Sequence, residues 1–265
     1  MTVLGEFVLP RDRPVWTSDL VCVLGILDVE EKSARQALAR SSSEGWLVSE
    51  RVGRRVRWSL TPPGRRLLTE GAERIYSFGA DSFGTHSRAW DGNWLMLVVS
   101  VPESKRDLRH RLRTRLTWAG FGSPVSGVWV SPDTSGQPEA QRIVAELGLE
   151  KQAMSFTSRY GDIGEQELMV ARSWDLSNLK DRYEDFIDTF TGLNPSGGEA
   201  ILRAQTRLVH EWRRFPFLDP RLPRQLLPGD WSGAKASELF HRTHVDWRPE
   251  AQQHWDTLID TSEPD

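Results

Sequence analysis

Two groups of cationic and amide side chains near the N-terminus have the types and spacing needed to bind a nucleic acid. One group lies on a predicted helix and the other on a predicted hairpin. In the major groove arginine pairs with guanine and glutamine with adenine, while lysine and arginine also bind backbone phosphates. The residues expected to contact DNA are Lys32, Ser33, Arg35, Gln36, Arg40, Arg54, Arg55 and Arg57.

Two short helices followed by a hairpin would position these side chains. The apolar run in Asp19–Leu24 predicts a buried first helix that Gly25 ends, and Asp28 is placed to cap a second helix starting near residue 29 or 30. Alternating apolar residues on either side of Gly53 predict two paired strands. This order of elements predicts a winged helix-turn-helix domain over residues 1–76.

The predicted second helix separates an apolar face from a polar one. Ala34, Ala37 and Leu38 share the apolar face. On the polar face, Arg35 and Gln36 are the expected base-reading residues. The expected phosphate contacts are the flanking cations of this helix and the arginines of the hairpin, namely Lys32, Arg40, Arg54, Arg55 and Arg57.

Charge is distributed unevenly along the chain. The 265 residues carry 34 Lys and Arg against 37 Asp and Glu, a net formal charge of -3. Residues 51–66 nevertheless contain arginine at six positions and no acidic residue. A basic hairpin beside a reading helix suits phosphate binding, although a solvated basic hairpin or a protein-binding surface would show the same pattern.

The remaining chain predicts two further domains and an α+β fold class overall. Residues 77–90 are rich in Ser and Gly and predict a linker. The following pattern predicts a ferredoxin-like α/β domain over residues 91–172. Its expected elements are a strand at 93–101, a helix at 103–118, a strand at 125–130, a helix at 138–147 and a strand at 167–170.

Residues 173–265 predict a helical C-terminal domain that would serve ligand binding or dimerisation. A heptad-like apolar stripe opens it, and this stripe would pack within the chain or form a dimer seam. Its members are Leu176, Leu179, Tyr183, Phe186 and Phe190. Further helices are expected at 199–213, 234–245 and 249–260.

Composition favours a soluble, cytoplasmic protein without catalytic or metal centres. The single cysteine, Cys22, excludes an internal disulfide and is expected to be a small buried side chain. The sequence has no apolar run of membrane-spanning length, no secretory pattern, no phosphate-binding glycine loop and no nucleophile elbow. His241 and His244, with His254 nearby, could share a metal, but no further ligands stand at matching spacing, so no metal is expected.

Several sequence blocks resemble the PaaX-type repressors of phenylacetate catabolism. In the middle region these are Trp90–Trp94, Arg109–Arg113, Gly120–Gly122 and Gly127–Pro132. The C-terminal block Glu211–Pro220 and its continuation to Trp231 are similar to that family's C-terminal signature, and the hairpin with Gly53–Arg55 fits its DNA-binding domain. The resemblance covers nearly the whole chain.

The resemblance implies a homodimeric bacterial repressor without a resident cofactor. Such a dimer would bind a pseudo-palindromic operator in double-stranded DNA and would be released by an aromatic acyl-CoA thioester such as phenylacetyl-CoA. A ligand would change the spacing of the two reading helices. A repressor that responds to a free aromatic acid is the alternative, and no residue selects one thioester over another.

A CoA thioester requires clustered cations beside aromatic walls, and two places offer both. The first is the helix that carries Arg109 and Arg113, although a solvated face or a second DNA contact would look the same. The second is the segment with Trp212, Arg213 and Arg214, whose arginines could instead pair with Asp219 or Asp230. These five residues, Arg109, Arg113, Trp212, Arg213 and Arg214, are the ligand candidates.

A metal-dependent nuclease is the competing hypothesis, because the predicted middle domain resembles a small family of CRISPR-associated nucleases. Metal-dependent cleavage needs converging carboxylates, typically with one at the end of the first strand. The strand Trp94–Val101 contains no acidic residue, and Glu103 follows only after Pro102. This departure argues against nuclease chemistry, and the sequence predicts a protein that is not an enzyme.

Overall fold

The computed structural model describes residues 1–79 and 90–260. The chain divides into two compact units. The first draws on Met1–Ala80, Phe186–Pro216 and Lys235–Asp265, and the second on Asp81–Asp185 and Phe217–Ala234. Helices and two antiparallel sheets agree with the predicted α+β class. In the described ranges no helix has the length and apolar character needed to cross a membrane.

The secondary structure alternates helices and strands in the first two thirds and is helical afterwards. The N-terminal elements are β1 (Val15–Trp16), α1 (Thr17–Ile26), α2 (Glu31–Ser43), β2 (Leu47–Val52), β3 (Arg55–Leu60) and α3 (Pro62–Ser77). The middle elements are β4 (Asn93–Val99), α4 (Arg106–Trp118), β5 (Gly122–Val125), β6 (Val128–Ser131), α5 (Gln137–Glu146) and β7 (Ala153–Arg159). The last elements are α6 (Gln166–Ser173), α7 (Leu176–Phe190), α8 (Gly198–Trp212), α9 (Phe215–Leu218) and α10 (Gly233–Asp260).

Helices α1 and α2 in the first unit are joined by a tight turn. Gly25 lies inside α1 rather than ending it, because the helix continues to Ile26. Asp28 was expected to cap α2, but it adopts a left-handed conformation with φ of 61°. The N-cap of α2 is Glu30, which makes no side-chain capping bond. Cys22 is exposed rather than buried, because it lies on the face of α1 opposite the core residues Leu20 and Val23.

Strands β2 and β3 form a hairpin in a three-stranded sheet of order β1-β3-β2. Val52 pairs with Arg55, so the turn consists of Gly53 and Arg54 alone. Gly53 has φ of 61°, which suits the first position of a type II′ turn. The hairpin therefore places Arg54 at its tip.

Helix α3 follows the hairpin through a capped and closely packed start. The Thr61 hydroxyl accepts a hydrogen bond from the Gly64 amide at 3.1 Å, and proline occupies the first helical turn. A Cβ at Gly64 would lie 2.1 Å from the Trp46 carbonyl oxygen. Glycine is therefore required where α3 crosses the backbone before β2.

The C-terminal helices of the first unit surround an aromatic core. Trp212 stacks on Phe240 with ring centroids 4.6 Å apart, and Phe7 stacks on Trp255 at 5.0 Å. The two helices predicted at 234–245 and 249–260 are the single helix α10, which contains Pro249. The missing Pro249 amide leaves the Val245 carbonyl without a helical partner, and Val245 is exposed, so solvent can bind that oxygen.

The second unit contains a four-stranded antiparallel sheet of order β5-β6-β4-β7. Helices α4 and α5 contribute Leu112, Leu116 and Ile143 to its core. The strand predicted at 125–130 is interrupted by a turn that separates β5 from β6. The strand predicted at 167–170 is wrong, since those residues lie in α6. The last strand is β7, an edge strand whose Met154 and Phe156 are exposed.

The heptad-like stripe on α7 is buried within the single chain. Its five members, Leu176, Leu179, Tyr183, Phe186 and Phe190, are each at most 9% exposed. Of the two alternatives left open by the sequence, intrachain packing therefore accounts for the stripe. Of the predicted linker at 77–90, residues 80–89 lie outside the described residues.

Candidate nucleic-acid interface

Helix α2 presents a cationic and amide face to solvent. Ala34 and Leu38 are buried, and these two residues hold the helix against α1. Ala37 was expected on the same buried face but is exposed. All five predicted DNA contacts on this helix are exposed: Lys32, Ser33, Arg35, Gln36 and Arg40. This exposed face of α2 is therefore accessible to DNA.

Arg35, the expected guanine-reading residue, is engaged by an acidic neighbour. Its guanidinium lies 2.8 Å from Glu31 Oε1, one helical turn earlier, and both side chains are more than half exposed. An exposed pair of this kind contributes little to stability. Arg35 can therefore exchange Glu31 for a base edge at small cost.

The three hairpin arginines have different surroundings. Arg54 is exposed in the two-residue turn. Arg57 forms an ion pair with Glu50 at 2.8 Å across the β2–β3 ladder. The Arg55 guanidinium lies 4.2 Å from the ring centroid of Trp16, a cation–π contact that orients it beside α1. Arg54 thus lies exposed at the tip of the hairpin.

Thr17 fixes the hairpin to the start of α1. Its hydroxyl donates to the Val56 carbonyl oxygen at 2.9 Å and accepts from the Trp58 indole N–H at 2.8 Å. The helices and the hairpin therefore form one body that can present both cationic groups together. The sequence analysis missed Thr17 and the Trp16 contact. The local signals for them were a threonine at the first position of α1 and a tryptophan immediately before it.

The two arginines proposed on α4 lie in different surroundings. Arg109 donates to the Glu103 carbonyl oxygen at 3.0 Å and is half-buried. Arg113 is exposed and lines a cavity of about 380 Å³, which also contains Arg172, Arg182 and Trp174. That cavity combines cations with an aromatic wall, as the sequence analysis required of a thioester site.

The C-terminal candidates divide between core and surface. The Trp212 ring is fully buried, and its N–H donates to the Ile75 carbonyl oxygen at 3.2 Å. Arg213 donates to the Thr2 hydroxyl at 3.2 Å, and Arg214 lies 3.2 Å from Glu211. The ligand role of these residues stays a prediction.

The expected partners of those two arginines are engaged elsewhere. Asp219 accepts from the Tyr183 hydroxyl at 2.7 Å and from the Arg221 amide at 2.6 Å. Asp230 pairs with Lys180. The alternative in which Arg213 or Arg214 binds Asp219 or Asp230 stays a prediction.

The histidines on α10 have separate environments. His241 Nε2 lies 3.2 Å from the Phe78 carbonyl oxygen, and His244 Nε2 lies 3.3 Å from a carboxylate oxygen of Glu6. Residues 1–79 and 90–260 contain no group of three or more His, Cys, Asp or Glu side chains able to hold a metal.

Three family models match successive parts of the chain. The PaaX-like protein model matches residues 1–64. The model described as the PaaX protein central Cas2-like domain matches residues 87–170, and the PaaX-like protein C-terminal domain matches residues 174–257. The basic helix and hairpin therefore lie in the first matched segment.

Two individual proteins are similar over most of the chain. The Transcriptional repressor PaaX of Escherichia coli strain K12 is 30% identical over 249 residues, which cover 90% of this chain and 76% of that protein. The solved structure of the uncharacterized protein Rv0674 from Mycobacterium tuberculosis has a TM-score of 0.59 at 22% identity, covering 97% of this chain and 96% of that one. The second likeness concerns the fold alone. The family models and the curated relative together place this chain in the PaaX family.

Proposed function

We propose that the chain is a transcriptional repressor that binds operator DNA through α2 and the β2–β3 hairpin. The observation that carries this proposal is the exposed Lys, Arg and Gln face of α2, held by Ala34 and Leu38 beside a hairpin with Arg54 at its tip. The curated relative is a transcriptional repressor by name. Family membership and surface chemistry thus support the same role.

The proposal treats residues 1–76 as a winged helix-turn-helix, with α2 as the recognition helix. Helices α1 and α2 followed by a hairpin have the order that this domain requires. It treats the second unit's sheet as ferredoxin-like, since β4-α4-β5-β6-α5-β7 follows that alternation with strand order β5-β6-β4-β7. Two copies of the chain in the cytoplasm would bind two half-sites in successive major grooves.

The α2 and hairpin residues would divide the work of recognition. Arg35 and Gln36 would read bases, and Lys32, Ser33, Arg40, Arg54, Arg55 and Arg57 would hold the backbone. We expect Arg35→Ala to lower affinity for operator DNA by about tenfold or more while leaving affinity for random DNA nearly unchanged. Fluorescence anisotropy on both duplexes measures this ratio, and an equal loss on both would contradict the base-reading role.

The effector of the proposed repressor is an aromatic acyl-CoA such as phenylacetyl-CoA. Binding of the thioester would favour a spacing of the two reading helices that the operator does not fit. The test is a gel-shift on DNA from the chain's own promoter, titrated with aryl-CoA thioesters and the matching free acids. Release by a thioester alone supports the proposal, whereas release by the free acid alone supports the alternative effector. Binding that neither disturbs refutes both.

We infer that the chain regulates transcription and does not catalyse a reaction. Strand β4 contains no carboxylate that could open a nuclease metal site. Incubating the protein with duplex DNA and Mg²⁺ or Mn²⁺ tests this inference directly. Metal-dependent cleavage that survives repurification would restore the nuclease hypothesis.

A further inference from the structure

A cavity of about 600 Å³ lies directly behind the proposed recognition helix, within the first compact unit. One wall comes from α1, α2 and the turn between them, another comes from α8, and the N-terminal residues Met1–Leu4 complete the lining. This volume is within the range of small-molecule sites in proteins. The α2 residues that face it, Ala37, Leu38 and Ser41, are interleaved with the residues proposed to contact DNA.

The wall formed by α1 is apolar and incompletely packed. Leu20 and Leu24 of α1 and Leu27 directly after it line the cavity. Leu20 is buried, but Leu24 and Leu27 are only half-buried, as is Val29 in the following turn. Apolar side chains that border a cavity gain further burial when a hydrocarbon group enters it.

The wall formed by α8 is cationic. Arg203, Arg207 and His210 recur at helical spacing along the edge of the cavity, and the buried Thr206 lies between them. Burial lowers the pKa of the His210 imidazole, and the nearby Arg213 charge lowers it further. The imidazole is therefore largely uncharged at neutral pH, and Arg203 and Arg207 supply the positive charge that an anion at this edge would meet.

One acidic group already occupies part of that edge. Asp28 in the α1–α2 turn forms an ion pair with Arg203, and both side chains are exposed. Asp28 has the left-handed φ of 61°, which non-glycine residues adopt infrequently. The turn that precedes the recognition helix is thus tied to α8 by a carboxylate that another anion could replace.

We propose that this cavity is the effector site and that it takes an apolar anion, with its hydrocarbon part against the α1 leucines and its negative end on Arg203 and Arg207. The anion would displace Asp28 from Arg203 and so release the turn before α2. This inference rests on the proposed function, since it supplies the site through which a ligand reaches the DNA-binding surface. A free aryl carboxylate and an aryl-CoA thioester both supply the apolar aryl group. The carboxylate carries its negative charge close to that group, whereas the thioester carries its charge on the CoA phosphates.

Isothermal titration calorimetry on the full chain tests the site with defined probes. The probes are phenylacetate, its neutral analogue phenylacetamide, acetate and phenylacetyl-CoA. We expect phenylacetate or phenylacetyl-CoA to bind, and phenylacetamide and acetate to bind at least about tenfold more weakly than the better of those two. Failure of both aryl anions to bind, or equal binding of the neutral amide, would overturn the proposal.

Three variants locate the site, and none is among the residues proposed to contact DNA. Arg207→Gln is expected to weaken anion binding by about tenfold. Asp28→Asn removes the competing carboxylate and is expected to tighten binding by several-fold, a result that a misfolded variant would not give. Arg113→Gln tests the competing ligand candidate in the smaller cavity, and the proposal expects binding to be unchanged. Loss of binding in Arg113→Gln but not in Arg207→Gln would move the site to the second unit and overturn the proposal.

The same proteins are assayed on promoter DNA so that the two proposals fail separately. If DNA binding and release by the anion occur but Arg207→Gln and Asp28→Asn respond like the unmodified chain, the site is wrong and the repressor stands. If the anion binds as expected but the chain shows no preference for promoter DNA, the repressor is wrong and the cavity remains a ligand site.

Discussion

Removal of the arginine at the tip of the hairpin should change the salt dependence of DNA binding. Arg54 is exposed in the Gly53–Arg54 turn at the tip of the hairpin. Each arginine that neutralises a duplex phosphate adds about 0.9 to the slope of log K against log salt. Arg54→Ala should therefore reduce that slope by about 0.9 for each hairpin bound, or about 1.8 for a dimer.

The slope fixes how the affinity defect varies with salt. Between about 50 and 200 mM salt, log salt rises by about 0.6, so removal of one arginine–phosphate pair alters the ratio of the two affinities by about 3.5-fold and removal of two pairs by about 12-fold. The defect of Arg54→Ala should thus be largest at low salt and should be similar on operator and random DNA. Fluorescence anisotropy at four or five salt concentrations measures both properties.

Arg57→Ala provides the matched control in the same hairpin. Its guanidinium is already paired with Glu50 at 2.8 Å, so Arg57 is less available to neutralise a phosphate. We expect a smaller change in slope than for Arg54→Ala. An unchanged slope for Arg54→Ala, or a defect confined to operator DNA, would refute the assignment of Arg54 to the backbone.

Three further predictions concern stability, measured by urea unfolding. Gly64→Ala should destabilise the chain by about 1–3 kcal/mol or more, because its methyl group would overlap backbone atoms. The control Gly71→Ala on the same helix meets open space and should be neutral or stabilising; equal effects would contradict the packing argument. Tyr76→Phe should cost about 1–3 kcal/mol, since the hydroxyl donates to the buried carboxyl group of Glu6, and an unchanged midpoint would count against this bond. Burial raises the pKa of Asp219 above its ordinary value of 3.8. Between that value and the folded pKa the folded chain binds more protons than the unfolded chain, so the free energy of unfolding should fall as pH rises through the folded pKa. Asp219→Asn should flatten this fall.

The exposed cationic face of α2 was predictable from sequence because its signals are local. Helical spacing separated Ala34 and Leu38 from the cationic face of α2, and the structure buries the first set and exposes the second. A glycine between two alternating runs located the hairpin turn. Neither inference depends on contacts with the rest of the chain.

Elements that depend on distant contacts were harder to predict. The segment 167–170 consists of one acidic residue and three apolar ones, and its periodicity alone fits a strand or a helix. The structure places it in α6. Two helices were expected at 234–245 and 249–260, but the structure has the single helix α10, which continues through Pro249 because the exposed Val245 carbonyl can bind solvent. The cavity proposed as the effector site was not predictable, because it lies between α1 and α2 on one side and α8 on the other. Helix α8 follows those helices by about 160 residues in the sequence.

The measurement that tests the account most directly is the affinity of the full chain for its own promoter DNA relative to random DNA of equal length, at fixed physiological salt. Specific regulators typically bind their sites about 10³-fold or more tightly than random sequence. The account predicts a preference of that order, which Arg35→Ala reduces strongly and Arg54→Ala leaves nearly unchanged. Equal affinity for promoter and random DNA would contradict the assignment of α2 as a recognition helix.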